Sequence, residues 1–402
     1  MRFSTTTNGR RPEVQVTDTG NGHCPGDVET VGCREQSMKL VAIVYDKFLV
    51  QGGGERVCEM LLEAFPEAQL YALNARPRTF WEARLGRPVI SPVFGSLFAS
   101  RFIVSALYPI AALLMATLRV KADVVIVYSS TCGKFVRLDC GRSILYSNFP
   151  NRGLYQPERM IRSRVLRRVL EPIMAFMRAL ERRTIRKYDQ VFSISETSRR
   201  AMLDYADVDS EVLMPPFNEQ GLAFSVDRAT EDDEDYFVLV SRLEPEKEIE
   251  YVIEAARCTG RRFLVIGTGS LLTQFRRATT DTVEFLGYVD DAELARHLAG
   301  AKALIFPSDI EYSLVPLEAT FLGTPVIVYD GAAMREILVD SQSGRADANA
   351  VFYGAKSAAA LAQAIETFDA IPWDIDAIKR GAATFGRPAF IDKVRRLVYD
   401  PA

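Results

Sequence analysis

Histidine is almost missing from this chain: His23 and His297 are the only two in 402 residues. A Ser-His-Asp triad or a histidine-rich metal centre is nearly excluded, because each needs imidazoles gathered at one place. Cysteine is sparse as well. Cys24, Cys33, Cys58, Cys132, Cys140 and Cys258 form no C-x-x-C pair, so neither a disulfide framework nor a zinc site is expected and a reducing compartment is the simplest reading. Charge of one sign is not in surplus. The 49 basic and 52 acidic residues leave a net charge of -3, which argues against a nucleic-acid partner. Residues 1–37 contain no apolar run, so no signal peptide is read there. Rich in Thr, Gly, Asp and Asn, they are expected to be a disordered extension.

Apolar material is plentiful at 48% of residues, enough for the cores of two domains. Residues 39–44 read as a buried strand, followed by Gly52-Gly53-Gly54-Glu55-Arg56 and a helical pattern through Phe65. Strand, glycine loop and helix open a doubly wound α/β unit. Further strands are predicted at 124–128, 143–146 and 191–195, the last leading into a helix capped near Ser195 or Thr197. After Pro215-Pro216 the periodicity is lost, and an acidic run over 231–235 marks a linker at 217–235. A second α/β set begins with strands at 237–240, 263–266, 303–306 and 324–328. The expectation is two Rossmann-like domains, 38–216 and 236–402, facing across a cleft that takes a ligand at the carboxyl ends of their strands. The last helix is allowed to pack back on the first domain.

Two segments suit a membrane surface. Residues 102–118 carry no charge between Arg101 and Arg119, which is short for a span and fits a packed helix or an apolar surface near a lipid. Residues 152–187 hold eleven basic and three acidic side chains. Ile161, Val165 and Val169 recur every four residues there, as do Leu166, Leu170 and Met174. This is a basic amphipathic pattern, suited to an anionic membrane surface or to a solvated helix face.

Chemistry is concentrated in the second domain. Arg242 and Lys247, in Ser241-Arg242-Leu243-Glu244-Pro245-Glu246-Lys247, follow a strand directly. Fixed cations there suit a diphosphate that gains charge as it leaves. Downstream, a loop from Ser308 leads through Ser313, Leu314 and Val315 into a helix carrying Glu318. Backbone N–H groups at such a start can meet phosphate oxygens, and a carboxylate one turn on can accept from ribose hydroxyls. Neither glycine loop completes G-x-G-x-x-G, since Val57 and Leu272 stand at the third position. A dinucleotide-dependent dehydrogenase is therefore disfavoured.

Taken together and in this order, several motifs resemble the retaining glycosyltransferases of family 4, with the GT-B fold. They are Gly-Gly-Gly-Glu-Arg at 52–56, Ser-Arg-Leu-x3-Lys at 241–247, Gly-Thr-Gly at 267–269, Phe-Leu-Gly-Tyr-Val at 285–289, Leu-Val-Pro-Leu-Glu-Ala from 314, and Gly-Thr-Pro-Val from 323. The resemblance covers residues 38 to the C-terminus. It implies an N-terminal acceptor domain and a C-terminal nucleotide-sugar domain. Arg242 and Lys247 match the pair on the donor diphosphate, and Glu318 matches the ribose-binding second Glu of E-x7-E. Gly53, Gly54 and Gly267 match donor loops, Tyr288 and Val289 the nucleobase position. Ser313, Leu314 and Val315 match the helix start facing the donor. Implied further are a UDP- or GDP-linked hexose donor, mannose or glucose, a lipid-linked or polysaccharide acceptor, retention, and no metal or other cofactor. The location implied is cytoplasmic, with peripheral contact at the inner face of the cell membrane.

Two positions depart from the pattern. A gapless alignment puts Ile310 where the first Glu belongs, and a one-residue deletion offers Glu311 instead. Asn148 stands where the family often has His. Both positions face the donor sugar in that family. The alternative is therefore a non-catalytic nucleotide-sugar-binding subunit of a transferase complex.

Overall fold

Five apolar residues in a row, Val41–Tyr45, form strand β1, buried on both faces. That is how a strand covered by helices on either side reads. The computed structural model describes residues 39–49, 52–161, 163–217, 219, 222, 235–277, 281–310, 312–331 and 333–400. The extension at 1–37 and most of the 217–235 linker lie outside the described residues.

β1 is central to a seven-stranded parallel sheet. Its companions are β2 (Gln69–Ala72), β3 (Val89–Ile90), β4 (Arg119–Tyr128), β5 (Arg137–Ser147), β6 (Gln190–Ser193) and β7 (Glu211–Val212), in the order β3-β2-β1-β4-β5-β6-β7. Helices α1 (Gly53–Ala64), α2 (Arg78–Leu85), α3 (Arg101–Ala106), α4 (Tyr108–Met115), α5 (Arg152–Tyr155), α6 (Arg164–Ile185) and α7 (Glu196–Ala206) clothe its two faces. The strand order reverses between β1 and β4, so a crevice opens outside their carboxyl ends.

The second sheet repeats the plan with six parallel strands: β8 (Tyr236–Val240), β9 (Arg262–Ile266), β10 (Val283–Gly287), β11 (Ala303–Phe306), β12 (Val326–Tyr329) and β13 (Ala350–Tyr353). Their order is β10-β9-β8-β11-β12-β13, with the reversal between β8 and β11. Helices α8 (Glu250–Thr259), α9 (Leu272–Arg277), α10 (Asp291–Ala299), α11 (Val315–Phe321), α12 (Ala358–Asp369), α13 (Ile375–Ala383) and α14 (Arg387–Tyr399) complete it.

Helix α14 returns to the first domain. Phe390, Val394 and Val398 are buried in one cluster with Ile43, Leu61 and Phe65. Each such side chain contributes roughly 1.5–3 kcal/mol by burial. Arg395 Nε also donates to the Ala64 carbonyl at 3.1 Å, capping an orphan acceptor at the end of α1.

Four elements differ from the sequence expectation. The stretch 102–118 divides into α3 and α4, with Pro109 in the first turn of α4. Neither piece approaches a bilayer's thickness, and among the described residues no helix is long and apolar enough to cross a membrane. The long basic helix starts only at its N-cap Ser163, whose Oγ accepts from Leu166 N at 3.3 Å. β4 and β5 extend well N-terminal of the predicted strands. The added half of β4 alternates buried Val120 and Ala122 with exposed Arg119 and Lys121, and Arg119 pairs with Asp139 of β5 at 2.9 Å. One face there is wet, so no apolar run marks it.

Candidate active site

Three loops leave the carboxyl ends of β8, β9 and β10, and backbone hydrogen bonds zip them together. Leu243 N donates to Thr268 O at 2.9 Å, Leu271 N to Leu243 O at 3.0 Å, and Gly267 N to Gly287 O at 2.7 Å. Glycine makes the approach possible. A Cβ on Gly267, at φ +136°, would stand 1.9 Å from Ser241 O, and one on Gly269 would stand 2.2 Å from Leu243 O. No side chain fits at either place without moving backbone. The zipper fixes the loop on which Arg242 is exposed, and Lys247, half-buried, ends the 3₁₀ turn Pro245–Lys247. Tyr288 on the third loop is exposed, while Val289 rests against the second domain's core.

The second motif leaves β11 through buried Ser308 and half-buried Ser313. Leu314 is the N-cap of α11 and Val315 its first residue. Glu311, the alternative sugar-side carboxylate, lies outside the described residues. Ile310 is half-buried and packs against the second domain's core cluster. Tyr312 spans both domains, its hydroxyl donating to Pro215 O at 2.6 Å.

Glu318 is the buried carboxylate of the site, 2% exposed. Burial pushes its pKa up, Arg56 opposes that rise through its charge and hydrogen bond, and Asp291 adds to it. The contact crosses the cleft. Arg56, at the start of α1, donates from Nη1 to Glu318 Oε1 at 2.9 Å and from Nη2 to Asp291 Oδ1 at 2.7 Å. Glu336 makes a second crossing. Its carboxylate accepts from Glu196 N at 2.5 Å and from Thr197 N and Oγ1 at 2.9 Å, serving the free N–H groups at the start of α7.

On the first domain's side, the β1–β4 reversal holds a cavity of about 410 Å³ lined by Tyr45, Lys47, Gly53, Gly54, Glu55, Tyr128, Asn148 and Met160, among others. Gly54 is needed there, because a Cβ would stand 2.7 Å from the Tyr45 hydroxyl. Gly53 faces the other domain, where a Cβ would meet Leu314 Cδ1 at 3.8 Å. Asn148 Oδ1 is buried without a hydrogen-bond partner, and an orphan acceptor in a cavity wall invites a ligand's donor. Asp46 organises the cavity floor. It accepts from Ser129 Oγ (2.6 Å), Ser130 N (2.9 Å), Thr131 N (2.9 Å) and Gly133 N (2.7 Å). Burial alone would raise its pKa; Lys47, Ser129, the Gly133 amide and Lys134 outweigh it and hold the carboxyl below the usual range. With its oxygens so occupied, Asp46 shapes a loop rather than serving as a base.

Gly53, Gly54 and Asn148 thus meet around one crevice, and Glu318 is tied to the same helix α1 through Arg56. Sequence reasoning missed Arg56, Asp291 and Asp46. Arg56 closes the Gly-Gly-Gly-Glu-Arg motif and Asp46 follows β1 immediately, so both carried a positional signal. Among the described residues, no group of three or more His, Cys, Asp or Glu is placed to hold a metal ion.

A sequence-family profile described as Glycosyl transferases group 1 matches residues 234–368. An uncharacterized glycosyltransferase of Methanocaldococcus jannaschii is 28% identical over 136 residues, 31% of this chain and 35% of that protein. The O-antigen chain mannosyltransferase RfbU of Salmonella typhimurium is 25% identical over 174 residues, 41% of this chain and 49% of that one. The matches therefore span between about a third and a half of these relatives. Among solved structures, Anabaena HepE in complex with UDP superposes with a TM-score of 0.64 at 15% identity, covering 89% of this chain and 99% of HepE. Sucrose-phosphate synthase from Thermosynechococcus elongatus gives 0.63 at 16% identity, covering 90% and 98%. With two parallel-sheet Rossmann-like domains set across a cleft, the chain has the GT-B fold, and residues 234–368 of its second domain are similar to Glycosyl transferases group 1.

Proposed function

We propose that the protein is a retaining glycosyltransferase of family 4, one that moves a hexose, mannose or glucose, from a UDP- or GDP-linked donor to a lipid-linked or polysaccharide acceptor. It works without a metal, in the cytoplasm and in peripheral contact with the membrane. The observation that carries this is the zipped triple loop, which presents Arg242 and Lys247 at the reversal of one sheet, together with buried Glu318 facing the reversal of the other. HepE, solved with UDP and with UDP-glucose, supports a nucleotide-sugar donor, and RfbU supports a hexose.

Loss of the sugar leaves charge on the diphosphate. Cations already fixed by the loop zipper need no reorganisation at that moment, so they favour the transition state over the ground state. Glu318 suits the ribose hydroxyls as an acceptor. Gly53 and Gly54 let the first domain's backbone approach the donor, and Asn148 Oδ1 offers a free acceptor to a sugar hydroxyl. The resemblance to family 4 implies that the acceptor attacks from the face the phosphate leaves and that the phosphate helps take the proton.

Thermal melting of the full chain with UDP, GDP, UDP-glucose and GDP-mannose tests the donor. A native-state ligand at 100 times its Kd adds about 2.7 kcal/mol. No shift with any of them overturns the reading. A shift without slow donor hydrolysis would favour the non-catalytic subunit, the reading suggested by Asn148 and by Ile310, which packs against the second domain's core.

A further inference from the structure

We propose that residues 91–100, helices α3 and α4, and helix α6 form one docking face for an anionic lipid bilayer, and that this face sets the mouth of the first domain's cavity at the lipid surface. The bilayer contact deepens the peripheral membrane contact of the proposed function, and its test does not depend on the transferase chemistry. What the cavity receives there, a lipid-anchored acceptor, rests on the transferase reading.

Apolar side chains are exposed along all of these elements. Val93, Phe94 and Leu97 precede α3, where Phe102 is 80% exposed, and Leu113 projects from α4. Residues 91–118 contain one charge, Arg101. On α6, Val165, Val169, Ile173 and Phe176 are each more than half exposed. At about 100° per residue they fall in one sector about 80° wide. Met174, Met177 and Glu181 occupy the buried face, and Arg164, Arg168 and Arg182 line the flank beside the apolar sector. Scattered apolar residues on a surface mean little, but a contiguous apolar sector rimmed with charge marks an interaction site.

The elements are neighbours. α4 and α6 both hold the turn Gly133–Phe135: Tyr108 of α4 meets Phe135 with ring centroids 6.2 Å apart, and Glu181 of α6 forms a fully buried ion pair with Lys134. Ser105 of α3 and Met160, just before α6, line the same cavity. The apolar face therefore borders the cavity's rim.

Charge decides the occupant. Helix α6 carries six arginines and two glutamates; Glu181 is neutralised by Lys134, and Glu171 pairs with Arg178. A second copy of the chain would bring arginine flank against arginine flank. An anionic bilayer instead takes the apolar sector into its acyl boundary and the guanidinium groups at its headgroups.

The test uses the full chain with vesicles of phosphatidylcholine alone and of phosphatidylcholine mixed with phosphatidylglycerol. Partition into the mixed vesicles is expected to be at least about tenfold stronger and to fall with salt. Arg164→Gln with Arg168→Gln should weaken it roughly thirtyfold, at about tenfold per 1.4 kcal/mol and about 1 kcal/mol for each basic residue. Ile173→Ser with Phe176→Ser, and separately Leu97→Ser with Phe102→Ser, should each weaken it at least about tenfold. Circular dichroism and nucleotide-induced thermal shifts, unchanged from wild type, show that these variants still fold. Tryptophan placed by Phe102→Trp or Ile173→Trp should be quenched by brominated lipid, and Ile375→Trp on the second domain should not. Equal partition into both vesicle types, apolar variants that bind as wild type does, or a dimer that these variants dissolve would each overturn the proposal. Because nucleotide shifts are read separately, loss of the docking face and loss of the transferase reading are told apart.

Discussion

Replacing Arg56 with Met removes the group that opposes the rise in Glu318's pKa. A buried carboxylate stripped of its partner costs about 3–5 kcal/mol. The carboxyl can escape by taking up a proton, and that sets a ceiling. From an ordinary glutamate pKa of about 4.3, neutralisation costs about 3.7 kcal/mol at pH 7 and about 1 kcal/mol at pH 5. Arg56 keeps 28% of its side chain accessible and Asp291 70%, so water screens part of the lost attraction. The expected loss is about 2–3 kcal/mol at pH 7 and under about 1 kcal/mol at pH 5. The sign follows from linkage. A carboxyl whose pKa is raised on folding leaves the folded state holding more protons, so stability falls as pH climbs from the unfolded value through the folded one. Without Arg56 that window reaches higher, and the penalty grows with pH. Urea midpoints at the two pH values measure this, with Arg56→Lys as the variant that keeps the charge and loses the fork. A loss of equal size at both pH values, or none at pH 7, would refute the account of the Arg56–Glu318 pair.

Arg242→Ala and Lys247→Ala should each lower turnover about 10²–10³-fold in donor hydrolysis or transfer; unchanged kinetics in both removes the diphosphate assignment. If the gapless alignment holds, Ile310→Glu should leave nucleoside diphosphate affinity unchanged by calorimetry and change which sugar donor is used, because a carboxylate then takes the place of the family's first Glu. If Glu311→Ala abolishes turnover and Ile310→Glu only destabilises, Glu311 holds that role instead. Lys134→Met should cost about 3–5 kcal/mol in urea unfolding, since it strands Glu181 with neither side chain exposed. Adding Glu181→Leu should recover most of that loss, and a double variant as unstable as the single one would contradict it.

What could be read from the sequence follows from burial. β1, β8, β9 and β11 lie inside parallel sheets with both faces covered, so each is an apolar run that announces itself. β3 and β7 have two residues each, too few to show any period. The first halves of β4 and β5 have a wet face that mixes charge into the pattern. The glycine loops were legible as motifs, but their task was not. That Gly267 admits Ser241 O requires β8 and β9 to be neighbours, a fact of topology. Arg56 and Glu318 stand 262 residues apart, and no local signal pairs them. Asp46 reaches partners 83 to 87 residues on, fixed only once β1 and β4 align.

The segment from Ser308 to Glu318 does not belong to the second domain alone. Between β11 and the end of α11, Tyr312 donates to Pro215 O in the first domain, and Glu318 accepts from Arg56 on α1. The anchors sit on either side of Ser313, Leu314 and Val315, the residues that lead into α11. Apart from helix α14, which buries its apolar face in the first domain, the crossings are polar, these two and Glu336 at the start of α7, and relative motion is the ordinary expectation for such an interface. Any opening of the cleft must therefore break one or both anchors and free the segment from Tyr312 to Glu318 on the first domain's side. Closure and the shape of this segment are thus one equilibrium. A ligand that engages Glu318 and the α11 start draws on closure free energy in proportion to its preference for the closed form, and Arg56, which touches Glu318 itself, is the side chain through which that preference is set.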